Sequence, residues 1–166
     1  MSRYRPPQPA SSKYITAAGK EKMQQEYDYL WKEKRPAVTQ SVREAAAQGD
    51  RSENAEYIYG KKQLREIDSR LRFLKKRLDI VQVVDQVPDD QSRVFFGAYV
   101  SIEDSDKEIK TFQIVGADEF DLKSNKISID SPLARALLNK SIDDEVCFQG
   151  PASMLEYIIT DIKYHN

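Results

Sequence analysis

The strongest constraint on the fold is a run of mostly apolar residues, spaced three or four apart, between residues 57 and 81. Its members are Tyr57, Gly60, Leu64, Ile67, Leu71, Leu74, Leu78 and Val81. Residues at this spacing lie along one side of an α-helix, and such a seam is typical of a coiled coil. The run therefore predicts one long helix that buries its seam against a second helix.

The partner helix is predicted just before it, over residues 17–47. Its apolar stripe consists of Met23, Tyr27, Leu30, Trp31, Val38, Val42 and Ala45. We interpret Tyr27 and Trp31 as coiled-coil core or as a contact between the helix and a neighbouring domain. Pro36 has no backbone N–H, so we expect a kink or the end of a helical segment there. The hydroxyl of Thr16 can cap the start of this helix.

A short break at residues 48–52 separates the two helices. Gly49 suits the left-handed conformation that ends a helix, and Asp50 or Ser52 suits the cap of the second helix. Two helices joined this closely form an antiparallel hairpin, about 30 residues long and roughly 45 Å in length. Gly60 costs about 1 kcal/mol relative to Ala within a helix, so it either softens the rod or allows the helices to approach closely.

Beyond a linker at residues 88–92, the helical period changes to the alternation that is typical of strands. We predict strands over 94–102, 109–115, 126–130, 145–149 and 155–163, and a short helix over 133–140. We expect the hydrophobic core of this region to contain Phe95, Phe96, Tyr99, Phe112 and Phe120. Cys147 is interpreted as a buried, inert thiol.

The predicted organisation is a flexible basic tail (1–13), a coiled-coil hairpin (14–87) with an acidic tip near 49–57, and a small α+β domain (88–166). The net charge of −1 suggests no nucleic-acid role, but residues 1–78 hold 18 Lys+Arg and 10 Asp+Glu, a net of +8. Residues 79–166 carry −9. Opposite charges on the two halves indicate two modules with different partners.

Several classes of site and location are excluded by the residue types. The chain has one cysteine and one histidine (His165), which excludes an intramolecular disulfide, a cysteine-based zinc site and a histidine-based triad. There is no apolar run long enough for a transmembrane helix, and residues 1–13 lack the apolar centre of a signal peptide. We therefore expect a cytoplasmic protein with no membrane contact.

The hairpin tip carries the first candidate site, Asp50 and Glu53. Carboxylates near a helix start are stabilised by the helix dipole, and an exposed pair suits Mg²⁺, which takes one or two protein carboxylates. The alternative is a capping box, with Asp50 as the cap and Glu53 reaching back to it. Because two carboxylates cannot complete a metal site, a catalytic role requires a partner that supplies further ligands.

Two charged surfaces are the other candidates. Between residues 61 and 77 eight basic residues oppose two acidic ones, and such a stripe either attracts phosphates or is simply a solvated helix face. The basic residues are Lys61, Lys62, Arg65, Arg70, Arg72, Lys75, Lys76 and Arg77. In the acidic half, Asp118, Glu119, Asp121 and the turn Asp130-Ser131-Pro132 form either a protein-docking surface or, at the turn, an ordinary helix start.

The chain resembles the bacterial Gre family of transcript cleavage factors over nearly all of residues 15–164. The most specific matches are the tip, Gly49-Asp50-x-Ser52-Glu53-Asn54-Ala55-x-Tyr57, and the segment Ser131-Pro132-x-Ala134-Arg135. The segment around Leu30-Trp31 and Pro36 resembles the GreB branch more than the GreA branch.

The resemblance implies an FKBP-like C-terminal domain that docks on RNA polymerase through Asp130, Ser131 and Pro132. It also implies that the coiled coil enters the polymerase secondary channel, where Asp50 and Glu53 help to hold a Mg²⁺ ion shared with the polymerase active centre. The isolated protein would bind no metal and would be a monomer. Lys61, Lys62 and Arg65 would hold the 3′ end of the RNA in backtracked complexes.

On this reading the chain is not itself an enzyme but stimulates hydrolysis by the polymerase. One alternative is a factor that enters the channel and modulates transcription without cleavage. Another is a prolyl isomerase, suggested by the FKBP-like fold, although fold does not imply function. The tail before Ile15 has no counterpart in the family that we can assign.

Overall fold

The computed structural model describes residues 10–49, 51–150 and 152–165. Two compact units are present: a helical unit, Lys20–Val81, and a globular unit that combines the chain up to Gly19 with the chain from Gln82 onward. Segments 14–19 and 82–87, which the sequence assigns to the hairpin, thus fall in the globular unit. The first nine residues of the predicted tail lie outside the described residues.

The first arm of the hairpin is helical throughout but changes its winding in the middle. It consists of α1 (Ala17–Tyr29), a π-helical turn (Leu30–Lys34) and α2 (Arg35–Ala47). The amide of Arg35 donates to the carbonyl of Leu30, five residues back. Pro36 comes directly after this turn, at the second position of α2, and has no N–H to donate to the preceding turn. The sequence predicts a kink or the end of a segment at Pro36; the structure has a π turn just before it, and α2 begins one residue earlier, at Arg35.

The second arm is a single helix, α3 (Ala55–Ile80), and the two arms bury a common seam. Its buried residues are Met23, Leu30, Val42 and Ala45 from the first arm and Gly60, Ile67, Leu71, Leu74 and Val81 from the second. This confirms the predicted coiled-coil hairpin. The coiled-coil-core alternative for Trp31 is wrong, since 54% of its surface is exposed. Leu30 occupies the seam, and the next side chain therefore points away.

Gly60 allows the helices to approach closely. A Cβ atom at this position would lie 2.5 Å from Cγ2 of Val42, well inside van der Waals contact. Of the two roles expected for this glycine, close approach is the one observed.

The globular unit is built on a five-stranded sheet with the strand order β5-β4-β3-β7-β6. Its strands are β3 (Tyr99–Glu103), β4 (Ile109–Val115), β5 (Lys126–Ser128), β6 (Glu145–Gln149) and β7 (Met154–Lys163). Neighbouring strands are antiparallel except β4 and β5, which are parallel. The helix α4 (Pro132–Leu137) follows β5. The predicted α+β class is thereby confirmed.

Two local features differ from the sequence-based expectation. The strand predicted from Val94 begins only at Tyr99, because Gly97 has a positive φ of 84° and the amide of Ala98 closes a turn onto Phe95. In addition, β1 (Tyr14–Ile15) and β2 (Gln82–Val83) pair in parallel. Two-residue strands are too short to produce an alternating pattern in the sequence.

The core of the globular unit joins the sheet to α4. It contains Val94, Ala98, Val100, Ile102, Ile114, Ile127, Ala134, Leu137, Val146, Ile159 and Ile162, with Phe112 packed against it. Phe95, Phe96 and Tyr99, also predicted here, are only partly buried and lie outside this cluster. Two further residues predicted to be buried are exposed. Cys147 is exposed, since its neighbour Val146 takes the inward position on β6. Phe120 is 54% exposed in the loop after β4.

No helix among the described residues is both long and apolar enough to cross a membrane.

Candidate functional site

The hairpin tip lies between the end of α2 at Ala47 and the start of α3 at Ala55. The amide of Gln48 donates to the carbonyl of Ala45 at 3.2 Å, and Gly49 follows with a φ of 134°. The predicted left-handed glycine at the helix end is thus confirmed. Asp50 lies outside the described residues.

The cap of α3 is Asn54, which the sequence analysis missed. Its Oδ1 accepts a hydrogen bond from the amide of Tyr57 at 3.1 Å, and its Nδ2 donates to the carbonyl of Ala45 at 2.8 Å. Asparagine is a preferred cap residue, and its residue type, which Asp50 and Ser52 share as suitable caps, was the available signal. Asp50 and Ser52 were therefore wrong as cap candidates.

This cap changes the interpretation of Glu53. In a capping box the acidic residue stands three positions after the cap, within the first helical turn. Glu53 instead stands one position before Asn54, in an exposed turn over residues 51–53. The capping-box alternative is therefore wrong, and the Glu53 carboxylate is exposed beside the positive end of α3.

An exposed carboxylate at this position is a suitable ligand for a hard cation. Mg²⁺ prefers oxygen ligands in an octahedral shell and usually takes only one or two from a protein, the rest coming from water or phosphates. Next to Glu53, the guanidinium of Arg51 lies 6.0 Å from the ring centroid of Tyr57. The tip thus presents one exposed carboxylate among the described residues, which by itself can supply only part of the coordination shell of such a cation.

The basic face of α3 is narrower than the sequence suggested. Arg70 forms a bidentate pair with Glu26, at 2.7 and 2.8 Å, and Arg77 is buried. The pair lowers the pKa of Glu26 below its ordinary value, mainly through the hydrogen bond from Arg70. Besides the paired Arg70, the exposed members of the face are Lys61, Lys62, Arg65, Arg72, Lys75 and Lys76.

The three exposed cations nearest the tip do not all lie on the same side of α3. Lys61 and Arg65 are four residues apart and so lie on one side of α3, whereas Lys62 lies about 100° further round. Further along this flank, Asp68 is neutralised by Arg35, whose Nε lies 2.7 Å from the Asp68 carboxylate. A continuous positive stripe therefore begins about two turns behind the tip.

The turn before α4 contains one residue that caps the helix, Ser131, and two accessible residues beside it, Asp130 and Pro132. Oγ of Ser131 accepts from the amide of Ala134 at 3.2 Å, so Ser131 is the helix cap. The carboxylate of Asp130 accepts from the amide of Ser12 at 2.8 Å and remains partly exposed. Pro132 is exposed at the first position of the helix. The predicted helix start is thus present, with Asp130 and Pro132 accessible beside it.

Two of the acidic residues before β5, Glu119 and Asp121, have structural roles. The Glu119 carboxylate accepts from the amide of Thr16 at 2.9 Å, from the Thr16 hydroxyl, and from the amide of Gly116 at 3.0 Å. The Thr16 hydroxyl also accepts from the amide of Gly19 at 3.0 Å, which confirms its predicted role as a cap. Asp121 caps a short 3₁₀ turn. No sequence pattern predicts the contact between Glu119 and Thr16, which are 103 residues apart.

Comparison with known proteins assigns both parts of the chain. The family model described as "Transcription elongation factor, N-terminal" matches residues 13–83. The model described as "Transcription elongation factor, GreA/GreB, C-term" matches residues 89–164.

Two relatives that match nearly the whole chain are both named transcription elongation factor GreB. Transcription elongation factor GreB of Pseudomonas aeruginosa is 56% identical over 164 residues, which are 99% of this chain and 98% of that protein. GreB of Haemophilus ducreyi is 57% identical over 155 residues, 93% of this chain and 96% of that protein. Among solved structures, GreA factor homolog 1 of Thermus thermophilus is 22% identical, covers 90% of this chain and 97% of its own, and has a TM-score of 0.41.

The assignment rests on the sequence matches. Two family models together account for nearly the whole chain, and the relatives above share more than half of their residues with it. Their name agrees with the expected resemblance to the GreB branch. The chain belongs to the GreA/GreB family of transcription elongation factors.

Proposed function

We propose that this elongation factor binds RNA polymerase, inserts its hairpin into the secondary channel and stimulates cleavage of the 3′ RNA in backtracked complexes. Cleavage gives the polymerase a new RNA 3′ end and so rescues arrested transcription. The observation that carries the proposal is Glu53, exposed at the end of a two-helix rod and not used to cap α3. The factor itself is not the enzyme; it donates carboxylates to the hydrolytic centre of the polymerase.

Asp50 and Glu53 are the residues that would hold the ion. The ion, shared with the polymerase, would supply charge stabilisation for hydrolysis of the phosphodiester. Glu53 presents its carboxylate from the turn, and Asn54 fixes the chain directly after it through its bonds to Ala45 and Tyr57. The polymerase would supply the remaining ligands, in agreement with the few protein ligands that Mg²⁺ commonly takes.

Lys61, Lys62 and Arg65 would hold the extruded 3′ RNA. All three are exposed and lie in the second and third turns of α3, behind Glu53. Cations at these positions attract the phosphates of single-stranded RNA. They can guide the strand towards the tip without reading its sequence.

The globular unit would dock on RNA polymerase through Asp130, Ser131 and Pro132, while the free factor is a monomer. Two features support this: the Asp130 carboxylate and the Pro132 ring are accessible, and Ser131 fixes the backbone between them as a helix cap. A rigid turn that presents a carboxylate and an apolar ring can offer both an ion pair and an apolar contact to a protein partner.

The test is an RNA cleavage assay on halted, backtracked polymerase complexes. The double variant Asp50→Ala, Glu53→Ala should abolish factor-dependent shortening of the RNA while polymerase binding persists. Glu56→Gln is the matched control, since Glu56 is also exposed and acidic but lies in the first turn of α3. The control should cleave like the native chain.

Two results would overturn this proposal. Normal cleavage by the double variant would remove the role of the tip. If the native chain binds polymerase but shortens no RNA at any Mg²⁺ concentration, the factor regulates transcription by occupying the channel instead.

A further inference from the structure

The segment that precedes α1 is held firmly against the globular unit. The carbonyl of Lys13 accepts from the amide of Gln82 at 2.8 Å, and the carbonyl of Ile15 accepts from the amide of Val84 at 2.9 Å. Ile15 is fully buried. These contacts fix the direction in which the chain leaves Lys13 towards Ser12.

Ser12 forms a bond to a distant part of the sequence. Its backbone N–H donates to Oδ2 of Asp130 at 2.8 Å, across 118 residues of sequence. The Ser12 hydroxyl accepts from the amide of Tyr14 at 3.2 Å, which shapes the turn between the bond and β1. The Ser12 amide is therefore a fixed donor.

Asp130 is also held from its other side. Its own amide donates to Oγ of Ser128 at 3.1 Å, and the amide of Ser131 donates to the carbonyl of Ser128 at 2.9 Å. The backbone of the turn is set by Ser128, while the carboxylate is oriented by Ser12. A carboxylate has about four acceptor positions, so this one bond orients Asp130 and leaves acceptor capacity for a partner.

We propose that the backbone amide of Ser12 is a positioning group that orients the Asp130 carboxylate for a cationic or N–H donor group on RNA polymerase. The inference rests on the proposed docking role of Asp130. A side chain that is already oriented loses less rotational freedom on binding. Charge-assisted hydrogen bonds also depend strongly on direction. The N-terminal segment thus contributes to docking although it need not touch the partner.

The test removes the donor and controls for the other changes that the substitution brings. Ser12→Pro deletes the N–H, whereas Ser12→Ala keeps it and removes only the hydroxyl. We expect Ser12→Pro to raise the Kd for RNA polymerase about three- to tenfold, the range expected for one side chain that must be immobilised on binding. Ser12→Ala should stay within about twofold of the native chain. Ser11→Pro controls for proline itself, because it places the same ring one position earlier.

A merely structural effect is separated by a double-mutant cycle with Asp130→Ala. In the Asp130→Ala background Ser12→Pro should have no further effect on Kd, because the group that it positions is absent. Thermal unfolding of each variant checks folding. If Ser12→Pro does not fold, an α-hydroxy acid at position 12 replaces the same N–H by oxygen without a ring.

The outcomes separate this inference from the docking proposal. If Asp130→Ala weakens binding but loss of the Ser12 N–H does not, the positioning role is wrong and docking stands. Tighter binding after loss of the N–H would show that the segment masks the turn, and would also overturn the inference. If Asp130→Ala itself binds like the native chain, the docking role is wrong.

Discussion

Nδ2 of Asn54 donates a hydrogen bond to the carbonyl oxygen of Ala45 at 2.8 Å, from one arm of the hairpin to the other. Ala45 is buried in the seam and lies in the last turn of α2, where its carbonyl also accepts from the amide of Gln48, so Asn54 is a second donor to it. The same side chain caps α3. One amide therefore ends one helix, starts the next and fixes the backbone that follows Glu53.

Asn54→Ala should lower the free energy of unfolding by about 1–2 kcal/mol, because it removes the cap and leaves the Ala45 carbonyl without this donor. Asn54→Asp keeps the acceptor for the Tyr57 amide but cannot donate to Ala45, so its loss should be smaller. Chemical denaturation of the three proteins measures the order. Equal stability of the Asp variant and the native chain would show that the bond to Ala45 contributes nothing.

The helices and strands were largely predictable, but the cap was not. Apolar spacing determined the seam from Ile67 to Leu74 because a helix must bury its apolar side. At the tip three residues, Asp50, Ser52 and Asn54, are all suitable caps by type. The choice depends on the contact with Ala45 on the other arm, which local sequence does not contain.

Other errors have similar physical causes. Trp31 was placed in the stripe together with Leu30, although successive residues of a helix are about 100° apart, and it is Leu30 that faces the partner helix. Glu119 was read as surface charge, although it accepts bonds from Thr16 that only the tertiary fold brings within reach. Sequence pattern thus identified the faces of elements but not the partners of individual polar groups.

Gly60→Ala should destabilise the hairpin despite the better helix propensity of alanine. The gain of about 1 kcal/mol from propensity is opposed by a contact of 2.5 Å between the new Cβ and Cγ2 of Val42. Overpacking of this kind typically costs about 1–3 kcal/mol. Adding Val42→Ala should remove the clash and recover part of the loss. Denaturation of both single variants and the double variant tests this, and a Gly60→Ala chain more stable than the native one would contradict it.

The Glu26–Arg70 pair should make the hairpin sensitive to acid. The folded-state pKa of Glu26 is below its ordinary value near 4.5, with Arg70 the largest cause and Lys22 a smaller one. A lowered pKa stabilises the fold above the unfolded-state pKa, and this contribution is lost as the pH falls through the folded-state value. The stability difference between the native chain and Glu26→Gln should therefore shrink as the pH falls from about 5 to about 3. In an Arg70→Gln background the difference should depend less on pH; an unchanged pH dependence would contradict the assignment to this pair.

Lys61 and Arg65 should contribute to the salt dependence of RNA binding. Each phosphate contact on a single strand changes the slope of log K against log salt by about 0.7, so Lys61→Ala with Arg65→Ala should reduce the slope by about 1.4. Fluorescence anisotropy of a labelled single-stranded RNA, between about 50 and about 200 mM salt, measures it. Lys123→Ala with Lys140→Ala is the matched control, since both residues are exposed cations of the globular unit. If the control lowers the slope as much as the hairpin variant does, RNA binding depends only on the total positive charge of the protein. In that case α3 has no separate RNA-binding face.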